Sequence, residues 1–161
     1  AKFQLVAAMN PCPCGYLGHP SKPCRCSPES VKRYREKISG PLLDRIDLAI
    51  EVPALPAADL TAAQAGESSK TVRQRVLAAR EKQMQRQGKT NARLLPAELD
   101  AKAQIADDAK QALAQMLDKL SLSARSYHRI LRVARTLADL EGVETAERRH
   151  VLKAAGFRRA L

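Results

Sequence analysis

Asp107-Asp108-Ala109-Lys110-Gln111-Ala112-Leu113-Ala114-Gln115-Met116-Leu117-Asp118-Lys119-Leu120 decides the fold class. Ala109, Ala112, Leu113, Met116, Leu117 and Leu120 recur at three- and four-residue steps, which places them on one face of an α-helix. A helix with one apolar face needs a partner, and the flanking sequence offers several. Ser123 to Leu140 puts Tyr127, Ile130, Leu131, Ala134, Leu137 and Ala138 on one face and Arg125, Arg129 and Arg132 on the opposite one. Upstream, Lys70 to Gln87 carries Val72, Val76 and Ala79 on one side and stops at Gly88, and Pro96 to Gln104 reads as a short helix. Downstream, Thr145 is expected to cap a last helix with Val151 and Leu152 inward, and His128 and His150 read as surface residues. With only 3% aromatic residues the core must be built from Leu, Val, Ile and Ala. The reading is mainly α, a small bundle of helices packed on one another.

The first third of the chain reads differently. Phe3 to Met9 is a short apolar run with the look of a buried strand, and it ends on Asn10, a residue that also starts ordinary Asn-Pro turns. All four cysteines follow as two Cys-x-Cys pairs, Cys12 with Cys14 and Cys24 with Cys26, separated by nine residues. Two close thiolate pairs brought together by a hairpin suit a structural, tetrahedral Zn²⁺, for which His19 could replace one cysteine. Two disulfides or four free thiols are the alternatives. Ser27-Pro28-Glu29 is a helix start, and the helix is expected to run to Ile38 and stop at Ser39-Gly40-Pro41. Leu42-Leu43-Asp44-Arg45-Ile46-Asp47 then turns into a second apolar strand, Leu48 to Val52. Arg45 is thereby held between two carboxylates, with which it could form only a local salt bridge.

The net charge of +11 makes nucleic acid the first candidate partner, against a simple solubilising surface. Residues 1–56 contribute +3 of this and residues 57–161 contribute +8. No apolar run approaches the length of a membrane span and no signal segment opens the chain, so the reading is cytoplasmic. The abrupt opening on a strand suggests a piece cut from a larger protein, and no Gly-x-x-x-x-Gly-Lys-Ser/Thr loop is present. Strands without their neighbours are unstable. Residues 1–66 are therefore expected to be loosely ordered alone, around the cysteine loop, while the helical part folds.

Three motifs together carry a family resemblance. Met9-Asn10-Pro11-Cys12-Pro13-Cys14-Gly15, Ser39-Gly40-Pro41-Leu42-Leu43-Asp44-Arg45-Ile46-Asp47, and Leu122-Ser123-Ala124-Arg125-Ser126-Tyr127-His128-Arg129-Ile130-Leu131-Arg132-Val133-Ala134-Arg135-Thr136 resemble the C-terminal part of the magnesium-chelatase-like AAA+ ATPases of the ComM/YifB family. The resemblance runs essentially the whole length. It implies a helical lid domain at 70–161, a linker at 57–69, and at 1–56 an incomplete α/β AAA+ core remnant with its cysteine-rich loop. By the same likeness Asn10 matches sensor 1, Arg45 matches the arginine finger that reaches a neighbouring subunit's ATP, and Arg125 matches the sensor 2 arginine, with Arg129 and Arg132 close enough to take that role. The implied cofactors are ATP and Mg²⁺ in the intact protein, alongside the structural Zn²⁺. The implied setting is a homo-oligomeric ring, expected to be a hexamer, that drives branch migration of DNA in transformation and recombination. An ATPase subunit of a magnesium chelatase and a zinc-stapled interaction module are the other readings.

Overall fold

The computed structural model describes residues 3–54, 66–120 and 123–158; the linker expected at 57–69 and the first residues of the Ala54 to Ser69 stretch fall largely outside them. Contacts among the described residues define two units, one of residues 3–43 with 51–54, the other of residues 44–50 with 66–120 and 123–158. Each is described by itself.

The first unit is organised by two turns rather than by a sheet. Gly15 and Gly18 both sit at φ near +80°, where glycine has no steric cost. The Gly15 N–H donates to the Cys12 carbonyl (3.0 Å) and the His19 N–H to that of Tyr16 (3.1 Å). Helix α1, Pro28–Arg35, begins as its sequence demands: Ser27 Oγ accepts the Ser30 N–H at 3.2 Å, and Pro28 occupies the first turn. The short helix α2, Gly40–Leu43, follows.

The strand expectations for Phe3–Met9 and Leu48–Val52 are not met. Both stretches lack ladder partners among the described residues, and Phe3 (79% exposed), Val6 (83%) and Val52 (85%) face solvent. A strand is stable only when a neighbour satisfies its backbone groups, and none of the described residues supplies one. The α/β core remnant is therefore not formed as a sheet.

The second unit is helical, as the periodicity predicts. It contains α3 (Ser69–Gln87), a 3-10 turn (Asn91–Arg93), α4 (Pro96–Lys102), α5 (Asp107–Leu120), α6 (Ala124–Glu141) and α7 (Arg148–Gly156). Helix α6 is the centre: Ile130, Leu131, Ala134 and Ala138 are buried against Leu99, Ala109, Leu113, Val151 and Ala154. Alanines at these contacts let the helix backbones approach closely. Ser123 caps α6, and Gly142, at φ +79°, ends it while the Val143 N–H reaches back to the Ala138 carbonyl (3.0 Å). A parallel bridge, Ile105 with Ala146, ties the entrance of α5 to that of α7.

Three details of the bundle depart from the sequence reading. The buried residues of α3 are Ala79, Gln83 and Gln87, while Val76 is 50% exposed. The seam is polar because Gln83 Oε1 accepts the Asn91 N–H (3.0 Å) and Gln87 Nε2 donates to Asn91 Oδ1 (2.9 Å). The last helix starts at Arg148, not behind a Thr145 cap, and Leu152 is exposed. His150 is buried: its Nδ1 accepts the Glu147 N–H (2.9 Å) and its Nε2 lies 3.0 Å from Glu141 Oε2. That geometry puts the ring proton on Nε2 and makes the histidine a helix cap.

The most deeply buried charges lie where α3 meets α6. Asp139 receives Arg86 through two bonds (2.7 and 3.0 Å), Arg135 Nε (3.2 Å) and Asn91 Nδ2 (2.8 Å). Arg135, wholly buried, also donates to the Glu144 and Val143 carbonyls. Burial pushes the Asp139 carboxyl up, but Arg86, Asn91 and Arg135 outweigh it and hold it below the usual carboxylate value. A depressed folded value means the stabilisation is fully present above an unfolded carboxylate's ~3.9 and is lost as pH falls through the lower folded value. Asp139→Ala strips a fully buried guanidinium of its anion and is expected to cost about 3–5 kcal/mol in denaturant unfolding of the helical unit. A loss below about 1 kcal/mol, the scale of a surface pair, would contradict this.

Candidate functional site

The four cysteines converge. Cys12 Sγ lies 3.5 Å from Cys14 Sγ and 3.7 Å from Cys24 Sγ, Cys14 lies 3.6 Å from Cys24, and Cys26 completes a group whose sulfurs all fall within 4.8 Å of one another. None is in a disulfide. A tetrahedral metal with ~2.3 Å metal–sulfur bonds needs sulfur–sulfur edges of ~3.8 Å, so the spacing fits. The protonation chemistry fits too. The backbone N–H groups of Arg25 and Tyr16 pull the Cys14 thiol down to about 6. Cys24, although the Cys26 N–H favours its thiolate, is pushed up to about 12 by burial and by the sulfurs of Cys14 and Cys12. Four crowded thiols cannot all ionise against one another, and a divalent cation among them removes that conflict. His19 stands apart from the cluster, its Nδ1 accepting the N–H groups of Ser21 (3.2 Å) and Lys22 (3.1 Å). Asn10 is exposed and lies beside Gly15 in the same unit.

The Arg45 turn belongs to the helical unit. Arg129, on α6, donates to the Arg45 carbonyl (2.7 Å) and to Asp47 Oδ1 (2.5 Å). Arg158, just past α7, donates to the carbonyls of Ile46 (3.0 Å) and Asp44 (3.4 Å) and pairs with the Asp44 carboxylate (3.5 Å). Ser123 Oγ adds a bond to Asp44 (3.3 Å), and the Ala49 N–H donates to the Phe157 carbonyl (2.9 Å). The two carboxylates that flank Arg45 in sequence are thus engaged by other arginines, while Arg45 itself is exposed at the surface.

The arginine face of α6 divides into separate tasks. Arg129 serves the turn, and Arg132 Nε donates to the Leu94 carbonyl (3.0 Å). Burial, and then the charge of Arg129, draws the Arg132 guanidinium below its usual value. Arg125 is exposed at the start of the helix, with no hydrogen bond or ion pair among the described residues. The sequence reading missed Arg158, which carries no periodicity signal. It also gave no task to Arg135, whose four-residue spacing from Asp139 was visible.

Two family descriptions cover the chain. "Magnesium chelatase, subunit ChlI" matches residues 1–60 and "Magnesium chelatase, subunit ChlI C-terminal" matches residues 66–158. The chain belongs to this magnesium-chelatase-like family. Within it, the chain is 48% identical over 160 residues to the "Competence protein ComM" of Haemophilus influenzae, and 45% identical to the "Uncharacterized protein YifB" of Salmonella typhimurium. It is 43% identical over 164 residues to the "Uncharacterized protein Mb2921c" of Mycobacterium bovis. These alignments take in 98% of the chain but only 31% to 32% of each relative, so the chain spans about a third of their length. No helix among the described residues is long and apolar enough to cross a membrane.

Proposed function

We propose that this chain is the arginine-finger and lid portion of a ring-forming AAA+ ATPase, expected to be a hexamer, whose intact form couples ATP hydrolysis to branch migration of DNA. The observation that carries the reading is Arg45, exposed on a turn whose backbone is held on both sides, within a chain of the magnesium-chelatase-like family. Phosphoryl transfer is accelerated mainly by positioned charge, and a guanidinium on a held turn supplies it with little loss of freedom on engagement. In this reading Arg45 reaches the nucleotide of the neighbouring subunit. Arg125, the one stripe arginine with no partner among the described residues, takes the sensor 2 role in preference to Arg129 and Arg132. Asn10 positions the attacking water, and ATP and Mg²⁺ bind on the part of the intact protein that carries the phosphate loop. Cys12, Cys14, Cys24 and Cys26 hold a structural Zn²⁺ that shapes the Asn10 loop. Likeness to a protein described as a competence protein, together with the net charge of +11, supports DNA as the substrate.

The experiment is ATP turnover by the intact protein with and without branched DNA. Stimulation by branched DNA over linear duplex is expected, weakening as salt rises. Turnover indifferent to any DNA would contradict the DNA-motor reading. It would favour a chelatase-type ATPase subunit, the reading that the family description itself suggests. Absence of any ATP turnover would leave a zinc-stapled interaction module.

A further inference from the structure

We propose that Arg129 and Arg158 are positioning residues for Arg45: they clasp the Asp44–Asp47 turn from two sides and make the presentation of the Arg45 guanidinium depend on the helical unit. The inference rests on the reading of Arg45 as a trans-acting finger. What motivates it is how the turn is held. Ile46 is half-buried while Asp47 and Leu48 are exposed, so apolar packing contributes little to fixing the backbone here. Its conformation is set instead by charge-assisted bonds to three consecutive carbonyls, of Asp44, Arg45 and Ile46, and to both flanking carboxylates. The donors come from different elements of the helical unit, Arg129 from α6 and Arg158 from beyond α7.

The Arg158 side chain is only 8% exposed, and that of Arg129 22%. Charge-assisted bonds at such partly desolvated sites are stronger than surface pairs. The fork shape of the guanidinium matters as well, because one arginine spans two carbonyls that a lysine ammonium could not hold together. A shift of one helix relative to another would move Arg129 and Arg158 differently and tilt the turn between them. Arg45 would follow, and the barrier for phosphoryl transfer is sensitive to misplacement of about 1 Å, which can cost ~10²-fold in rate.

The test uses the intact protein. Arg129→Ala and Arg158→Ala are each expected to lower kcat for ATP by up to about 100-fold while KM and nucleotide affinity stay at wild-type values. Combining either with Arg45→Ala should add little to the loss caused by Arg45→Ala alone. The charge swap Arg129→Asp with Asp47→Arg should recover part of the activity lost in either single variant, which guards against a trivial folding defect. Amide exchange at Ala49 should quicken in the single variants. A raised KM or weakened ATP binding in Arg129→Ala would overturn the proposal by moving Arg129 into a nucleotide pocket. Faster exchange with unchanged kcat would overturn it by making the clasp purely structural. If Arg45→Ala is inactive while both clasp variants are fully active, this proposal alone fails. If Arg45→Ala itself is fully active, the reading of Arg45 fails and takes the clasp with it.

Discussion

Arg45→Ala in the intact protein is expected to lower ATP turnover by roughly 10³-fold, with ATP affinity close to wild type. The size follows from what a finger does: it meets charge that develops on the transferred phosphoryl group, so its interaction is stronger in the transition state than in the ground state. A thousandfold loss is about 4 kcal/mol of barrier. Because the turn is held through backbone carbonyls and the carboxylates of Asp44 and Asp47, truncating the exposed Arg45 side chain leaves every one of those bonds in place. Loss of folding is therefore not the expected route to inactivity, and an unchanged thermal unfolding profile accompanies the prediction. Steady-state kinetics over a range of ATP concentrations makes the measurement. A variant with wild-type kcat, or one whose defect lies wholly in KM, contradicts it.

Metal removal is the second large effect. Among its described residues the first unit has no buried hydrophobic residue other than Cys12, and α1 buries none of its residues. Its order rests on the turns at Gly15 and Gly18 and on the sulfur cluster. Structural zinc sites of this kind contribute apparent folding free energies of ~10–16 kcal/mol near neutral pH, far more than two turns and a short helix can supply. Protein purified under reducing conditions is expected to carry about one zinc per chain. Chelation, or Cys24→Ser, should release the metal and abolish amide protection across residues 12–36 while the helical unit keeps its own. Acid should release the metal as well, since thiolates must be deprotonated to bind. Metal-free protein with residues 12–36 still protected would exclude the zinc role.

How much of this was legible in the sequence depends on where the stabilising partners lie along the chain. The stripe of α5 and the apolar face of α6 gave the bundle directly, because helix periodicity is local and Ala109, Leu113, Ile130, Leu131, Ala134 and Ala138 all turn out buried. Caps at Ser27 and Ser123 and the stop at Gly88 were likewise readable, each being a bond within one turn of its own residue. The two apolar runs, Phe3–Met9 and Leu48–Val52, carry strand chemistry without ladder partners among the described residues, and composition alone does not tell whether a run finds a neighbour to pair with. The end of α3 docks through Gln83 and Gln87 because Asn91 folds back onto it, a pairing that no hydrophobic pattern signals. At the candidate sites, clustering in sequence announced the cysteines. Arg45 was singled out by resemblance alone, and the residues that hold its turn carried no sequence signal. Arg158 lies 112 residues from the Ile46 carbonyl it holds, and nothing in the spacing of Arg129 signals that it donates to the Arg45 carbonyl and the Asp47 carboxylate.

Subunit mixing tests the central claim most directly. One partner is the intact protein carrying Arg45→Ala, which keeps its own nucleotide pocket. The other is intact protein disabled in its own phosphate-binding loop, which keeps Arg45. Each is expected to be inactive alone, and mixed rings are expected to regain ATP hydrolysis at the sites where a working pocket meets an intact Arg45. Mixtures that stay as inactive as their components, although they form mixed rings, would contradict a trans-acting role for Arg45.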